Sequence, residues 1–394
     1  MEAGELARYI LLLLPIGVIG LWRWGVWLLK KICASFYRPL KITNSSHYNP
    51  TLSVITPVYN EDAKIFRSAL DSWQANNPAE IIAVIDISDE SSIKVFLDFA
   101  RGKPGAKLLV TAKEGKRAAL ANGIREAKSE IVALVDSDVI WMPDVKEKAL
   151  IPFRDYKIGG VVTRQNCIHP KSIWQKITDI MWDLRNVDEW PSQTAMGSAL
   201  TCLSGRTAFY RRKMLLTMLD EFENEILLGR KKEPGDDKCL TRLIQKYGWK
   251  SYYQSNAQIY STAASNFKTF WKQRVRWSRN SFGSDITALV VERWVWKNLY
   301  LAFYMIDRFI SPFTLMIALI TFLFAIYLNN WIVVIIIFCW WILSRGIKIS
   351  THLKRRPQDI LLLPAYAAIS FLVAAARIYA LITIREQKWI RERV

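Results

Sequence analysis

The 394 residues are 51% hydrophobic and carry 54 Lys and Arg against 35 Asp and Glu, a formal net charge of +19. That apolar content excludes an intrinsically disordered chain. With 3 His and 5 Cys, and no CxxC pair among Cys33, Cys167, Cys202, Cys239 and Cys339, a His/Cys zinc site and a disulfide scaffold are excluded too.

From Ile10 to Leu29 only Arg23 interrupts an apolar run, long enough for the ~20 residues that a spanning helix needs. No small-residue cleavage pattern precedes Lys30 and Lys31, so residues 1–32 read as a membrane anchor rather than a signal peptide. Residues 45–265 form a polar stretch the size of one soluble domain. Its first half alternates β-rich runs (Leu52–Thr56, Glu80–Ile87, Ala106–Thr111, Glu130–Asp136) with helical ones (Asp62–Gln74, Ser91–Ala100, Lys116–Lys128). That alternation predicts an α/β fold with a parallel sheet covered on both faces.

Ligands of such sheets bind beyond the carboxyl ends of the strands. The first strand closes in Thr56-Pro57-Val58-Tyr59-Asn60-Glu61, the second in Asp86, the third before Lys113-Glu114-Gly115-Lys116-Arg117, and the fourth in Asp136-Ser137-Asp138. Neither GxGxxG nor a Walker A sequence is present. Two carboxylates one residue apart suit a hard divalent cation, Mg²⁺ or Mn²⁺, completed by substrate phosphates. A helix opening on Gly115-Lys116-Arg117 offers backbone N–H groups and two cations to an anion. Together these residues describe a pocket for a nucleotide diphosphate.

A helix expected at Asp237–Lys246 starts within Gly235-Asp236-Asp237, where a carboxylate could act as a base or simply cap the helix. Residues 266–296 alternate apolar and basic faces, notably Phe267, Phe270, Trp271, Arg274, Trp277 and Arg279, as an interfacial helix does. Residues 297–384 hold the remaining apolar runs, one from Phe309 to Ser344 without a single Asp, Glu, Lys or Arg and another from Ile360 to Ala376, and residues 385–394 form a basic tail. Asp307 and Arg308, just before the long run, read equally well as a pore-mouth pair or as an interfacial anchor. The basic residues Lys30, Lys31, Arg38, Lys41, Arg345, Lys348 and Lys354 to Arg356 would face the cytoplasm, which places the soluble domain there. Keeping the basic tail inside requires two or four crossings after residue 265. The charge is thus accounted for beside anionic lipid, and nucleic-acid binding is not expected.

The motifs TPVYNE, Asp86, KxGKR, Asp136-Ser137-Asp138, Ser204-Gly205-Arg206 with Tyr210-Arg211-Arg212, Gly235-Asp236-Asp237 and Gln273-Arg274-Val275-Arg276-Trp277 resemble, in this order, those of the membrane-integrated processive family 2 glycosyltransferases. Hyaluronan and chitin synthases and the pneumococcal type 3 capsule synthase are of this branch. Where hyaluronan synthases end in Trp-Gly-Thr-Arg, this chain has Trp389-Ile390-Arg391-Glu392. The resemblance implies a cytosolic GT-A-like domain joined to transmembrane and interfacial helices, in a multi-pass plasma-membrane enzyme that adds sugar from UDP-sugars to a growing polysaccharide. It implies metal at Asp138 and Asp136, a base at Asp237 or Asp236, nucleotide contacts from Tyr59, Glu61, Asp86, Lys113, Lys116, Arg117, Gln273 and Arg276, and acceptor contacts from Ser204, Gly205, Arg206, Tyr210, Arg211 and Trp277. A single-transfer enzyme making a polyprenyl-phosphate sugar or glycolipid is the alternative, and an inactive membrane scaffold a second. The residues do not select the sugar.

Overall fold

The computed structural model describes residues 13–41, 48–112, 115–227, 229–232 and 234–386. Ten strands are numbered in chain order: β1 Leu52–Val58, β2 Glu80–Asp86, β3 Ala106–Thr111, β4 Ile131–Val135, β5 Ile140–Trp141, β6 Ile158–Cys167, β7 Thr207–Arg211, β8 Ile226–Leu227, β9 Arg230–Lys231 and β10 Lys250–Ser261. Eight form one sheet in the order β3-β2-β1-β4-β7-β6-β10-β5, and β8 and β9 form a separate hairpin. The helices used below are α1 Ile19–Ser35, α2 Ala63–Gln74, α3 Glu90–Ala100, α4 Lys116–Glu126, α5 Ile173–Leu184, α6 Asp236–Lys246, α7 Phe267–Ile286, α8 Leu299–Tyr327, α9 Trp331–Lys348 and α10 Leu363–Ile382.

The first four strands are parallel, and β1, β2 and β4 are rich in β-branched residues and buried on both faces, as their continuous apolar runs require, while β3 at the sheet edge is only half-buried. One face packs Phe66, Leu70 and Trp73 of α2 with Phe96 and Phe99 of α3, while the other packs Leu120 and Ile124 of α4 with Leu240 and Leu243 of α6. Asp62 caps α2 by accepting from the Lys64 and Ile65 amides. The predicted strands and helices of this half agree with the observed ones to within about two residues.

The sheet as a whole is mixed rather than parallel, because β7 runs antiparallel between β4 and β6. This reversal has a functional consequence. Thr207 pairs with Val135 and Arg211 with Ile131, so the loop preceding β7 reaches the carboxyl edge of β4 while Arg211 sits at the far end. Strand β10 is parallel to β6, which brings Ser261 and Thr262 to that same edge. Residues from well-separated parts of the chain therefore converge on one rim of the sheet.

Among the described residues three helices are long and apolar enough to cross a membrane: Leu299–Tyr327, Trp331–Lys348 and Pro357–Ile382. Ile320, Leu323, Ile332, Ile335 and Phe338 lie exposed on the first two, an apolar surface that water would not favour. Helix α1 packs against α9, with Trp24 Nε1 donating to Ser344 Oγ at 3.3 Å and Lys348 Nζ donating to the Arg23 carbonyl at 3.3 Å. Asp307 and Arg308 are not paired with each other. Asp307 faces Arg23 and Lys30 of α1, each at 3.5 Å, and Arg308 holds Asp285 of α7 at 2.9 Å. The amphipathic segment forms α7 as expected, capped by Asn266, which accepts from the Thr269 amide. Residues 1–12 of the expected anchor and the expected basic tail from 387 lie outside the described residues.

Candidate active site

The carboxyl edge of the sheet opens into a cavity of ≈ 1480 Å³, lined by Tyr59, Glu61, Asp86, Asp136, Asp138 and Asp237 on one side and reaching Tyr304, Asp307 and Arg377 on the other. Its centre is Lys116, the first residue of α4, whose Nζ lies 2.7 Å from Asp136 Oδ1 and 3.0 Å from Asp236 Oδ2. Burial works against this ammonium, but the Asp136 and Asp236 carboxylates outweigh it and hold the group well above the usual lysine range. Burial likewise opposes the Asp236 charge, yet Lys116 and then Arg117 keep that carboxyl below its ordinary value. Lys116 thus ties the end of β4 to the start of α6.

Asp138 Oδ2 accepts from Thr262 Oγ1 at 2.8 Å, and Glu61 accepts from Ser137 Oγ at 2.5 Å. Burial, with Asp136 close by, pushes the Asp138 carboxyl up. Asp86 accepts from the amide and hydroxyl of Ser88 at 2.9 and 2.6 Å. These donors are all oxygen, the chemistry of Mg²⁺ or Mn²⁺. Among the described residues no three His, Cys, Asp or Glu side chains form a ready metal cluster, so an ion at Asp136 and Asp138 would need further oxygens. Phosphates of a nucleotide supply such oxygens, and the residues present fit that arrangement.

Helix α6 begins after Gly235, whose φ of +86° suits glycine and which makes no side-chain cap. Neither Asp236 nor Asp237 is the cap residue; both sit in the first turn. Asp237 Oδ2 accepts weakly from the Gly205 amide and from Cys202 Sγ, both at 3.4 Å, and Oδ1 accepts from the Lys238 amide at 2.8 Å. Gly205 sits close against the charge cluster, since a Cβ there would stand 3.3 Å from Asp236 Oδ2 and 3.4 Å from Lys116 Nζ. Ser204, Gly205 and Arg206 all line the cavity.

Three expected contacts are corrected. Tyr210 is 1% exposed and packs in the core with Leu203 and Ile244 near Gly160, since its pairing with Val132 sets it back from the rim that Thr207 reaches. Arg211, at the far end of that strand, donates instead to the carbonyls of Ile158, Phe153 and Asp155. Arg117 is buried with Glu225 at 2.6 Å and donates to the carbonyls of Phe222 and Pro234, so its guanidinium braces the loop that delivers Gly235. Lys113 lies outside the described residues.

Gln273, Arg276 and Trp277 of α7 line the cavity, and Gln273 Oε1 is buried without a partner. The Trp277 indole lies between two guanidiniums, Arg206 at 5.2 Å and Arg274 at 5.1 Å from its ring centre. Arg206 also stacks at 4.2 Å on Trp182 of α5. Trp182, Arg185, Thr262 and Arg377 were not identifiable as site residues from sequence. The spacing of Trp182 and Arg185 on one helical face is the only local sign, and an ordinary core helix shares it.

An α/β sheet with carboxylates, a lysine and a helix N-terminus gathered at its carboxyl edge, joined to apolar helices, is the architecture of a GT-A-like glycosyltransferase. The fold matches that of a mannosyltransferase from Pyrobaculum calidifontis solved in complex with GDP-Man and Mn²⁺, with a TM-score of 0.63 and 18% identity over 98% of this chain and 99% of that one. Residues 50–280, more than half of the chain, match the model of the glycosyltransferase-like family 2, and the chain belongs to that family. It is 27% identical over 351 residues to an N-acetylglucosaminyltransferase of Rhizobium meliloti, covering 86% of this chain and 81% of that protein. It is 26% identical over 377 residues to a hyaluronan synthase of Streptococcus pyogenes serotype M3, covering 92% and 88%. A type 2 glycosyltransferase of Pyricularia oryzae is 26% identical over 371 residues, covering 87% and 74%.

Proposed function

We propose that this glycosyltransferase is a processive polysaccharide synthase, which takes UDP-sugars with Mg²⁺ or Mn²⁺ on the cytoplasmic side of the plasma membrane and passes the polymer outward. The observation that carries this reading is the continuity of the cavity. One space joins the Asp136, Asp236 and Asp237 cluster to Tyr304, Asp307 and Ser311 on the first long apolar helix. Polar groups at membrane depth persist where they line such a cavity, and a hydrophilic chain needs one to cross.

In this reading Asp136 and Asp138 hold the cation, which neutralises charge on the leaving diphosphate when bound. Lys116 orients Asp136 against Asp236 and keeps α6 in register with the donor edge. Asp237, with only two weak donors on Oδ2, takes the proton of the acceptor hydroxyl, and Gly205 leaves room for that hydroxyl to approach. Arg206 and Trp277 border the acceptor, with α1 as an additional membrane span. The names of the N-acetylglucosaminyltransferase and hyaluronan synthase relatives support N-acetylglucosamine as the first donor to test.

The test is a donor screen with purified protein, following nucleotide release and product size for UDP-N-acetylglucosamine, UDP-glucose, UDP-glucuronate, their pairs and GDP-mannose. Long polymer from a UDP-sugar or a pair supports the proposal. A product limited to one sugar on a polyprenyl phosphate overturns it.

A further inference from the structure

Beyond the donor cluster, the cavity carries more cations than acids: Glu189 acts on both Arg185 and Arg377, and Asp307 on Arg377. Arg185 follows α5, Arg274 belongs to α7 and Arg377 to α10, and with Arg206 all four line the same space. None forms an ion pair with a carboxylate among the described residues. Arg185 donates to Gln165 Oε1 at 2.5 Å and stacks on Trp190 at 4.3 Å. Arg274 donates to Thr178 Oγ1 at 3.3 Å and lies 4.7 Å from the Phe270 ring centre. The Nε atoms of Arg185 and Arg274 are buried and unpartnered.

Burial together with the charges of Arg377, Arg185 and Arg206 lowers the Arg274 guanidinium to about 9, and burial with Arg206 lowers Arg185 to about 10. The nearby Glu189 is engaged by the Tyr304 hydroxyl and stands among Lys30 and Arg308, with Arg185 further away in influence. Gathering cations in a shielded space in excess of their counter-charge is costly, and it persists where a ligand supplies the remainder. The other strongly basic part of the cavity, around Lys116, is already balanced by Asp136 and Asp236.

Resting on the synthase reading above, we infer that Arg185, Arg274 and Arg377 form an anion site on the acceptor side that binds the carboxylate of a sugar in the growing chain. The polymer therefore contains an acidic sugar. Guanidinium forks match a carboxylate in two parallel hydrogen bonds, and the neighbouring Trp182 and Trp277 indoles offer apolar edges to a pyranose ring. A lipid phosphate would satisfy the charge as well, but these arginines face an interior space walled by α5, α7 and α10 and flanked by aromatics. That setting suits a ring-bearing acid better than a headgroup.

The experiment is calorimetry on the full-length protein in nanodiscs, with a hexasaccharide alternating glucuronate and N-acetylglucosamine, the same oligosaccharide after reduction of its carboxyls, and polyprenyl phosphate. The acidic oligosaccharide is expected to bind about tenfold or more tighter than its reduced form, as charge-assisted hydrogen bonds warrant, and the preference should shrink with salt. Arg377→Gln and Arg274→Gln should each reduce the preference. Equal binding of acidic and reduced oligosaccharides overturns the inference, as does polyprenyl phosphate displacing the acidic ligand. The comparison on the unaltered protein needs no variant to fold. UDP binding with Mn²⁺, measured in the same samples, separates the two readings: its absence counts against the glycosyltransferase site, whereas its presence without acid preference counts against the anion site alone.

Discussion

The proposed donor half of the site and its proposed acceptor half are built differently. The donor half is a row of strand ends, β1 to β4, whose functional residues sit within a few positions of the strand that carries them. Its charges are balanced locally, Lys116 against Asp136 and Asp236. The acceptor half is assembled from the loop before β7, α5, α7 and α10, with stacked aromatics and arginines that form no direct ion pair among the described residues. A site that binds the same diphosphate every cycle can be rigid and self-neutralising. A site through which a polymer slides is better served by broad aromatic surfaces and by charge that the ligand completes.

The sharpest way to break this division is at its seam, Asp237. Replacement by Asn keeps size and removes basicity, so turnover should fall about 10²–10⁴-fold while UDP affinity measured by calorimetry is retained. Turnover within tenfold of the parent, well short of that range, would move the base elsewhere, with Asp236 tested next.

Arg117 tests whether the donor half extends to the second cation of its motif. Arg117→Met leaves the buried Glu225 with Arg242 at 3.2 Å and Lys232 at 3.7 Å but removes the bonds to the Phe222 and Pro234 carbonyls that hold the loop before Gly235, a loss of about 1–3 kcal/mol. Thermal unfolding in detergent should show a large drop. A raised donor KM with unchanged unfolding would instead assign Arg117 to the diphosphate.

The proposed acceptor half leans on a network between α5 and the segment joining α9 to α10. Asp183 of α5 holds His352 Nδ1 at 2.7 Å, Arg355 Nε at 2.8 Å and Arg164 at 3.0 Å, while His352 Nε2 meets Asp359 at 3.0 Å. Burial opposes the Asp183 charge, but His352, Arg355 and Arg164 keep its carboxyl below the ordinary range. The folded value is depressed, so the network's stabilisation is complete above the unfolded aspartate value, ~4, and is lost as pH falls through the folded one. Unfolding temperature should therefore decline below about pH 4, and Asp183→Asn should flatten that acid limb. An unchanged limb removes Asp183 as its source.

Arg211 should matter least. Because it serves backbone carbonyls at the far end of β7, Arg211→Gln should leave donor KM and product length within about twofold and cost about 1 kcal/mol of stability. A shortened polymer from this variant would place it in the acceptor half after all.

How much was legible follows the same division. Strand runs, the helices between them, and the carboxylates at Asp136, Asp138 and Asp237 were readable because each depends on a short periodic pattern and its closing residues. Tyr210 and Arg211 were misjudged because adjacency in sequence says nothing of which end of an antiparallel strand reaches the rim. That Arg117, which lines the cavity, is also held by Glu225 was not legible, because that partner is 108 positions away.

The sequence by itself determined the α/β alternation, the apolar spans and the oxygen donors of the rim, since these follow from local periodicity and from charge excluded from apolar runs. Only the tertiary structure decided that β7 reverses, that Lys116 is shared between two aspartates, and that Arg185, Arg274 and Arg377 meet in one cavity. The physical reason is that hydrogen-bond pairing across a sheet and the mutual burial of charges are properties of pairs distant along the chain.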